Sequence, residues 1–396
     1  MMALRTNLNY GLLYGALILL PGAAMDPAWA AAGDDWPSFR GDARLTGAAA
    51  QSLPADLTVL WTFEADDGIE STAAMVDGVV YVGSLAGELH ALDLNSGKLL
   101  WTYEAGDEIK SSPTVRKGIV YFGDESGIFH AVDAAAGKVK WTFAADGGVI
   151  ASASFAGGRV IFGSQDNFLY ALNPDNGELV WKVETGSYIY GTAAVARLGE
   201  RQVVLVAGCD GLLRGLDPRD GSDVVTVGID AYVGGSPAVG NRLVFVGTFE
   251  NQVLGIDLVA GKVVWAYANP ERHFPFYSSA ALSADRVVIG GRDKLVHALD
   301  PETGHAVWTH AAGSRVDSSP VIAGPTVYFG TMGGDLVGLN LRSGEKVWEF
   351  ATGSSVIASP AVAGGRMVIG TLDGMLYCFG AGEARAEKVE KDVQDG

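Results

Sequence analysis

Cysteine is scarce in this 396-residue chain: Cys209 and Cys378 are the whole supply. Two thiols cannot build a disulfide-stapled scaffold. Histidine is scarce too, at six, and no Cys-x-x-Cys-His, His-Glu-x-x-His or glycine-rich phosphate loop occurs, so covalent haem, a zincin centre and a nucleotide cradle have no motif to stand on. Basic residues are outnumbered, 28 Lys and Arg against 46 Asp and Glu, for a formal net charge of −18. No basic patch offsets that field, which repels nucleic acid and anionic lipid headgroups. The one sustained apolar run, Gly11 to Leu20, is short of the roughly 20 residues that a membrane helix needs. No window carries a helical period.

What the chain has instead is a repeat. ALDLNSGKLLW (Ala91 to Trp101), AVDAAAGKVKW (Ala131 to Trp141), ALNPDNGELVW (Ala171 to Trp181) and ALDPETGHAVW (Ala298 to Trp308) are copies of one pattern. Looser copies are GLDPRDGSDVV (Gly215 to Val225), GIDLVAGKVVW (Gly255 to Trp265) and GLNLRSGEKVW (Gly338 to Trp348). The acidic or amide position falls at Asp93, Asp133, Asn173, Asp217, Asp257, Asp300 and Asn340, giving steps of 40, 40, 44, 40, 43 and 40. A period near 40 marks one supersecondary unit repeated. Each period reads as four short β-branched and aromatic runs bounded by Gly, Asp, Asn and Ser, which are half-buried antiparallel strands. Such units bury their faces against one another by radial closure. The expected fold is an all-β, eight-bladed propeller. Its last unit stops after MLYCFG (Met375 to Gly380) without a Trp, and LTVLWTF (Leu57 to Phe63) supplies both the missing strand and the Trp.

The pattern resembles the tryptophan-docking repeat of the pyrroloquinoline quinone-type propellers over residues 57–380. That superfamily holds quinoprotein alcohol dehydrogenases and non-catalytic propellers, among them the propeller lipoprotein of the outer-membrane β-barrel assembly machinery. DWPSFRGDARLTG (Asp35 to Gly47) resembles the segment that precedes the ring in quinoproteins and is expected to lie across the disc as an extended arm, within residues 31–56.

Trp61, Trp101, Trp141, Trp181, Trp265, Trp308 and Trp348 share one repeat position and are expected to wedge between blades, each finding a partner for its N–H. Val225 stands there in blade 4, so that seam must be repacked or soft. Cys209 and Cys378 fall four blades apart, too far for a disulfide. His90, His130 and His297 occupy one position in three blades and cannot converge on a metal. No metal site is expected. Repeated Gly-Thr and Gly-Ser pairs read as turn chemistry.

Residues 1–30 read as a signal peptide: Arg5, the apolar run, Pro21-Gly22, then Ala28-Trp29-Ala30, with cleavage after Ala30 or Ala32. The expected location is periplasmic, without a lipoprotein cysteine. Residues 381–396 read as a solvated, mixed-charge tail.

Catalysis is not expected, nor a cofactor. The resemblance to quinoproteins would imply adjacent cysteines and long roofing insertions, which are missing. The loops crossing from each outer strand to the next blade carry Asp66, Asp67, Glu70, Asp107, Glu108, Asp146, Asp230, Glu271 and Asp317 against Lys110, Arg272 and Arg315, a field hostile to a polyanionic quinone. A protein-binding scaffold is favoured over two alternatives, a quinone-dependent dehydrogenase and a small-ligand or polysaccharide sensor in the central funnel. Its expected partners are envelope or outer-membrane proteins, met by a monomer within a larger complex. Three consecutive crossing loops are aromatic: Tyr188 and Tyr190, then Tyr232, then Arg272, His273, Phe274, Phe276 and Tyr277. These are the side chains most enriched at binding hot spots, and they form the expected partner sector.

Overall fold

The computed structural model describes residues 34–382; the expected signal peptide and most of the tail lie outside them. Strands alone make up the described secondary structure, arranged as eight four-stranded antiparallel sheets. Seven are continuous in sequence, from residues 74–104 (blade 1) to 321–351 (blade 7), and each pairs its strands in chain order from the axis outward. The eighth takes three strands from the C-terminal end and its outermost from Leu57–Glu64, which pairs with Met375–Ala381. Trp61 faces Cys378 in that pairing as Trp101 faces Ala91 in blade 1. The buried Cys378 therefore fills the small-residue position, and both cysteines are free.

The seams show why the repeat is spaced as it is. Six of the seven docking indoles donate their N–H to a carbonyl in the next blade's third turn, Trp61 to Leu94 at 2.9 Å, Trp101 to Ala134 at 3.1 Å and Trp141 to Pro174 at 3.0 Å among them. Trp181, Trp265 and Trp308 reach Pro218, Pro301 and Leu341, and Trp348 reaches Leu57 to close the ring at 3.2 Å. The indole face lies on the glycine of the same turn. At Gly97, φ is +70° and an added Cβ would come within 2.6 Å of the Trp61 ring, so only glycine suits both the backbone and the contact. Blade 4 departs from this. Val225 holds the indole's register position, facing Gly215. The matching turn glycine, Gly261, has nothing within 4 Å of where a Cβ would stand. Here the outer strands Asp223–Gly228 and Lys262–Ala268 draw together, so the seam is repacked.

Near the axis a second device locks the blades. The backbone N–H of Thr72 donates to Ser112 Oγ at 3.0 Å, Ser112 to Ser152, Ser152 to Thr192, and Thr192 to Ser236. Ser236 continues to Ser279, Ser279 to Ser319, Ser319 to Ser359, and Ser359 back to Thr72 at 3.3 Å. Eight hydroxyls thus form a closed inter-blade ring. The Gly-Thr and Gly-Ser pairs at Gly191-Thr192 and Gly235-Ser236 belong to this ring and do more than shape turns.

The segment expected as an extended arm across the disc instead winds into the channel. Its backbone pairs with the inner edges of six blades: Trp36 with Met75, Pro37 with Val115, Ala43 with Val195, Arg44 with Val239, Thr46 with Leu282 and Gly47 with Ile322, at 2.7–2.8 Å. The physical cause is the set of buried edge N–H groups that eight innermost strands present to the axis, each costly if unpaired. Arg40, 1 % exposed, donates to the carbonyls of Ser319 (3.1 Å) and Ala280 (3.0 Å). Burial pushes its guanidinium down to about 9, against a nearby Asp42 that favours the charge, so it stays charged at neutral pH. Asp42 in turn holds the loop by accepting from Arg44 N (2.8 Å), Thr46 N (3.2 Å) and the Thr46 hydroxyl.

Candidate functional site

Every loop that crosses from an outer strand to the next blade follows one rule. The residue three before the hydroxyl ring is buried and apolar: Ile69, Ile109, Val149, Ile189, Val233, Phe276, Val316 and Val356, each 0–1 % exposed. It packs on the end of the second strand, as Ile109 does on Gly83. The next residue turns the other way, toward the axis. Glu70, Lys110, Ile150, Tyr190, Gly234, Tyr277, Asp317 and Ile357 therefore form an upper tier around a funnel of about 400 Å³, with the hydroxyl ring below and Phe39 of the inserted segment among its lining.

This rule divides the eight residues expected to bind a partner. Phe276 is a correction: at 1 % exposure it belongs to the core between blades 5 and 6, its ring edge-on to His297 at 5.1 Å. Tyr190 and Tyr277 line the funnel. Tyr188, Tyr232 and Phe274 are 48 %, 57 % and 50 % exposed. Tyr188 lies edge-on to Tyr190 at 5.9 Å, whereas Tyr277 meets Phe249 at 5.8 Å and lies under Arg292 at 4.4 Å. No ring contact joins these two groups among the described residues. The long loop is pinned: Arg272 donates to the Asp293 carbonyl at 2.6 Å, and His273 Nδ1 accepts from Asn251 Nδ2 at 3.3 Å. Sequence reasoning missed Glu125, Gln165, Phe249 and Arg292, which share one position in the turn between second and third strands. Their signal was available in the 40-residue register, one residue past each turn's opening Ser, Thr, Asp or Gly.

Charge at the funnel is mostly paired. Lys110 bridges Glu108 (2.7 Å) and Glu125 (3.5 Å), and Arg292 grips Asp317 with two bonds of 2.9 and 3.0 Å. Glu70 is raised above the usual carboxylate range, first by burial, with Lys110 opposing and Glu108 and Glu125 adding to the rise. Burial likewise raises the Tyr190 and Tyr277 phenols.

The histidines stay in separate blades. His130 bonds Asp124 at 2.9 Å and the Tyr103 hydroxyl of the preceding blade at 3.1 Å; His297 repeats this with Asp293 and Tyr267. Burial works against both carboxylates, yet the hydrogen bonds from these imidazoles and their neighbours hold Asp124 and Asp293 below the usual range. His90 lacks such a partner: Nε2 lies 3.4 Å from Glu88 but makes no hydrogen bond, and burial pushes it down to about 4.

The family model described as outer membrane protein assembly factor BamB matches residues 53–208 and 209–395, both halves of the ring. This chain belongs to that family. Outer membrane protein assembly factor BamB of Shewanella oneidensis is 27% identical over 155 residues, covering 36% of this chain and 39% of the relative. A quinone alcohol dehydrogenase subunit from Gluconacetobacter polyoxogenes is 27% identical over 130 residues, 29% of this chain and 18% of that one. The chain therefore spans well under half the length of these curated relatives. The crystal structure of BamB from Moraxella catarrhalis superposes with a TM-score of 0.71 at 22% identity, covering 82% of this chain and all of that one, which shows the shared fold.

The quinone cofactor of the dehydrogenase relatives does not fit this BamB-family funnel. Arg292 is already paired with Asp317, and Lys110 sits among Glu70, Glu108 and Glu125, so no unpaired cation is offered to a polyanion there. Cys378 is buried in blade 8, far in sequence from Cys209.

Proposed function

We propose that this chain is an exported, periplasmic, non-catalytic scaffold that binds envelope proteins during outer-membrane protein assembly. The observation that carries the reading is the family match across both halves of the ring. The geometry supports it: Tyr188, Tyr232 and Phe274 stand half-exposed on crossing loops whose neighbours are locked into the disc, and aromatic side chains on a rigid frame are suited to hot spots. No described helix is long and apolar enough to cross a membrane. The test is affinity capture of outer-membrane assembly proteins from an envelope extract. A Tyr188→Ser, Tyr232→Ser, Phe274→Ser variant should weaken capture by about 2 kcal/mol or more with an unchanged melting midpoint. Undiminished capture by that variant would refute the surface, and alcohol oxidation on loading with pyrroloquinoline quinone and Ca²⁺ would refute the scaffold.

A further inference from the structure

Beyond the scaffold reading, we infer that the central funnel binds a neutral polyhydroxylated ligand, a sugar of one or two rings. The hydroxyl ring floors this funnel. Its members are 2–5 % exposed and line the funnel. Each accepts one backbone N–H from the neighbouring blade, and among the described residues none donates its own O–H to a protein acceptor. Neighbouring hydroxyls behave differently: Ser71, Ser111 and Ser278, in the same loops, each donate to a backbone carbonyl at 2.8–3.0 Å. The ring thus sets eight unspent donors, already fixed in place, around one axis. These donors face the funnel and are available to whatever fills it, and a ligand with many oxygens can accept from several of them at once.

The rest of the funnel narrows the class. The inserted segment fills the channel beside the ring and sets Phe39 in the lining, so the cavity is a cup of about 400 Å³, within the range of small-ligand sites. Its wall offers acceptors in Glu70 and Gln165 for ligand hydroxyls, and the rings of Tyr190 and Tyr277 for the C–H face of a pyranose. An anion is disfavoured, because Arg292 is spent on Asp317 and Lys110 is outnumbered by Glu70, Glu108 and Glu125 around it. Donors below, acceptors and aromatic faces at the side, and little net positive charge together match a sugar.

Titration calorimetry of the full chain with glucose, maltose and N-acetylglucosamine tests this, with acetate and sulfate as anionic controls. At least one sugar should bind saturably at one site, with a Kd of about 1 mM or tighter. Gln165→Ala should weaken it at least tenfold, and Ile150→Trp, which fills the cup from the wall, should abolish it; the melting midpoint shows that each variant is folded. Phe274→Ala, outside the funnel, should leave sugar binding alone. Partner capture is measured on the same samples, so failure here and failure of the scaffold reading are separate results. No saturable binding by any of the three sugars would mean that the cup holds ordered water only and would overturn the proposal. So would acetate or sulfate binding as tightly as the sugars, or sugar binding indifferent to both funnel variants.

Discussion

Val225→Trp should stabilise the protein, because the structure holds seven occupied copies of the site that this substitution would fill. Val225 has the register of a docking indole, the turn glycine opposite it has open space, and no donor among the described residues reaches the Leu258 carbonyl that matches Leu94 and Ala134. Replacing valine by tryptophan should bury on the order of 100 Å² more apolar surface, worth about 2.5 kcal/mol. The new N–H bond adds about 1 kcal/mol. Against this stand about 1 kcal/mol of side-chain entropy and the cost of reopening outer strands that have drawn together, which overpacking series put at about 1–3 kcal/mol. The middle of that range leaves a gain of about 0.5 kcal/mol, read as a higher denaturant midpoint at unchanged slope. The reverse change in an occupied seam, Trp101→Val, should cost about 3 kcal/mol, since no reopening term offsets it. A cycle with Gly261→Ala sharpens the test. Alone, alanine there pays only for its positive φ (+64°); beside the new indole it should also clash, so the two changes must be non-additive. A lower midpoint for Val225→Trp, or additivity in the cycle, would refute the vacancy argument.

Phe276→Ala should cost about 3–5 kcal/mol as a buried aromatic truncation, whereas Phe274→Ala should leave the thermal midpoint unchanged; equal melts for the two would contradict the buried and exposed assignments. Deleting residues 57–64 removes the outer strand and docking Trp of blade 8 and exposes a sheet edge, so the truncated chain should lose cooperative unfolding or aggregate; an unchanged melt would disprove closure by that strand. His90 gives a pH signature. Its folded value of about 4 lies below the ordinary 6.5, so below pH 6.5 the unfolded chain binds a proton that the native state refuses. The stability this costs grows as pH falls from about 6.5 to about 4, reaching about 3 kcal/mol. His90→Tyr, the residue that blades 3 and 8 carry there as Tyr170 and Tyr377, should lose less stability than the parent over that window in urea titrations; parallel pH profiles would show that His90 is not buried neutral.

The 40-residue spacing was enough to specify eight blades, the pairing of Leu57–Glu64 with Met375–Ala381, and the docking tryptophans. Each is set by a local pattern: strand alternation, turn glycines, and an indole one blade away from its carbonyl. The two-tier funnel was legible in principle by the same register, since Ile69, Glu70 and Thr72 have counterparts in every blade. Phe276 was misplaced because aromatic character was weighed without that register, which puts it at the buried anchor position of Ile109 and Val149. Other features had no local signal. Asp35 to Gly47 carries no strand period, and what draws it into the channel is the set of inner-edge N–H groups that exists only once eight blades have closed around an axis. The unspent hydroxyl protons are equally a product of closure: each serine is ordinary in its own loop, and only the neighbouring blade's amide, about 40 residues away, fixes it and turns the ring into the floor of a cup.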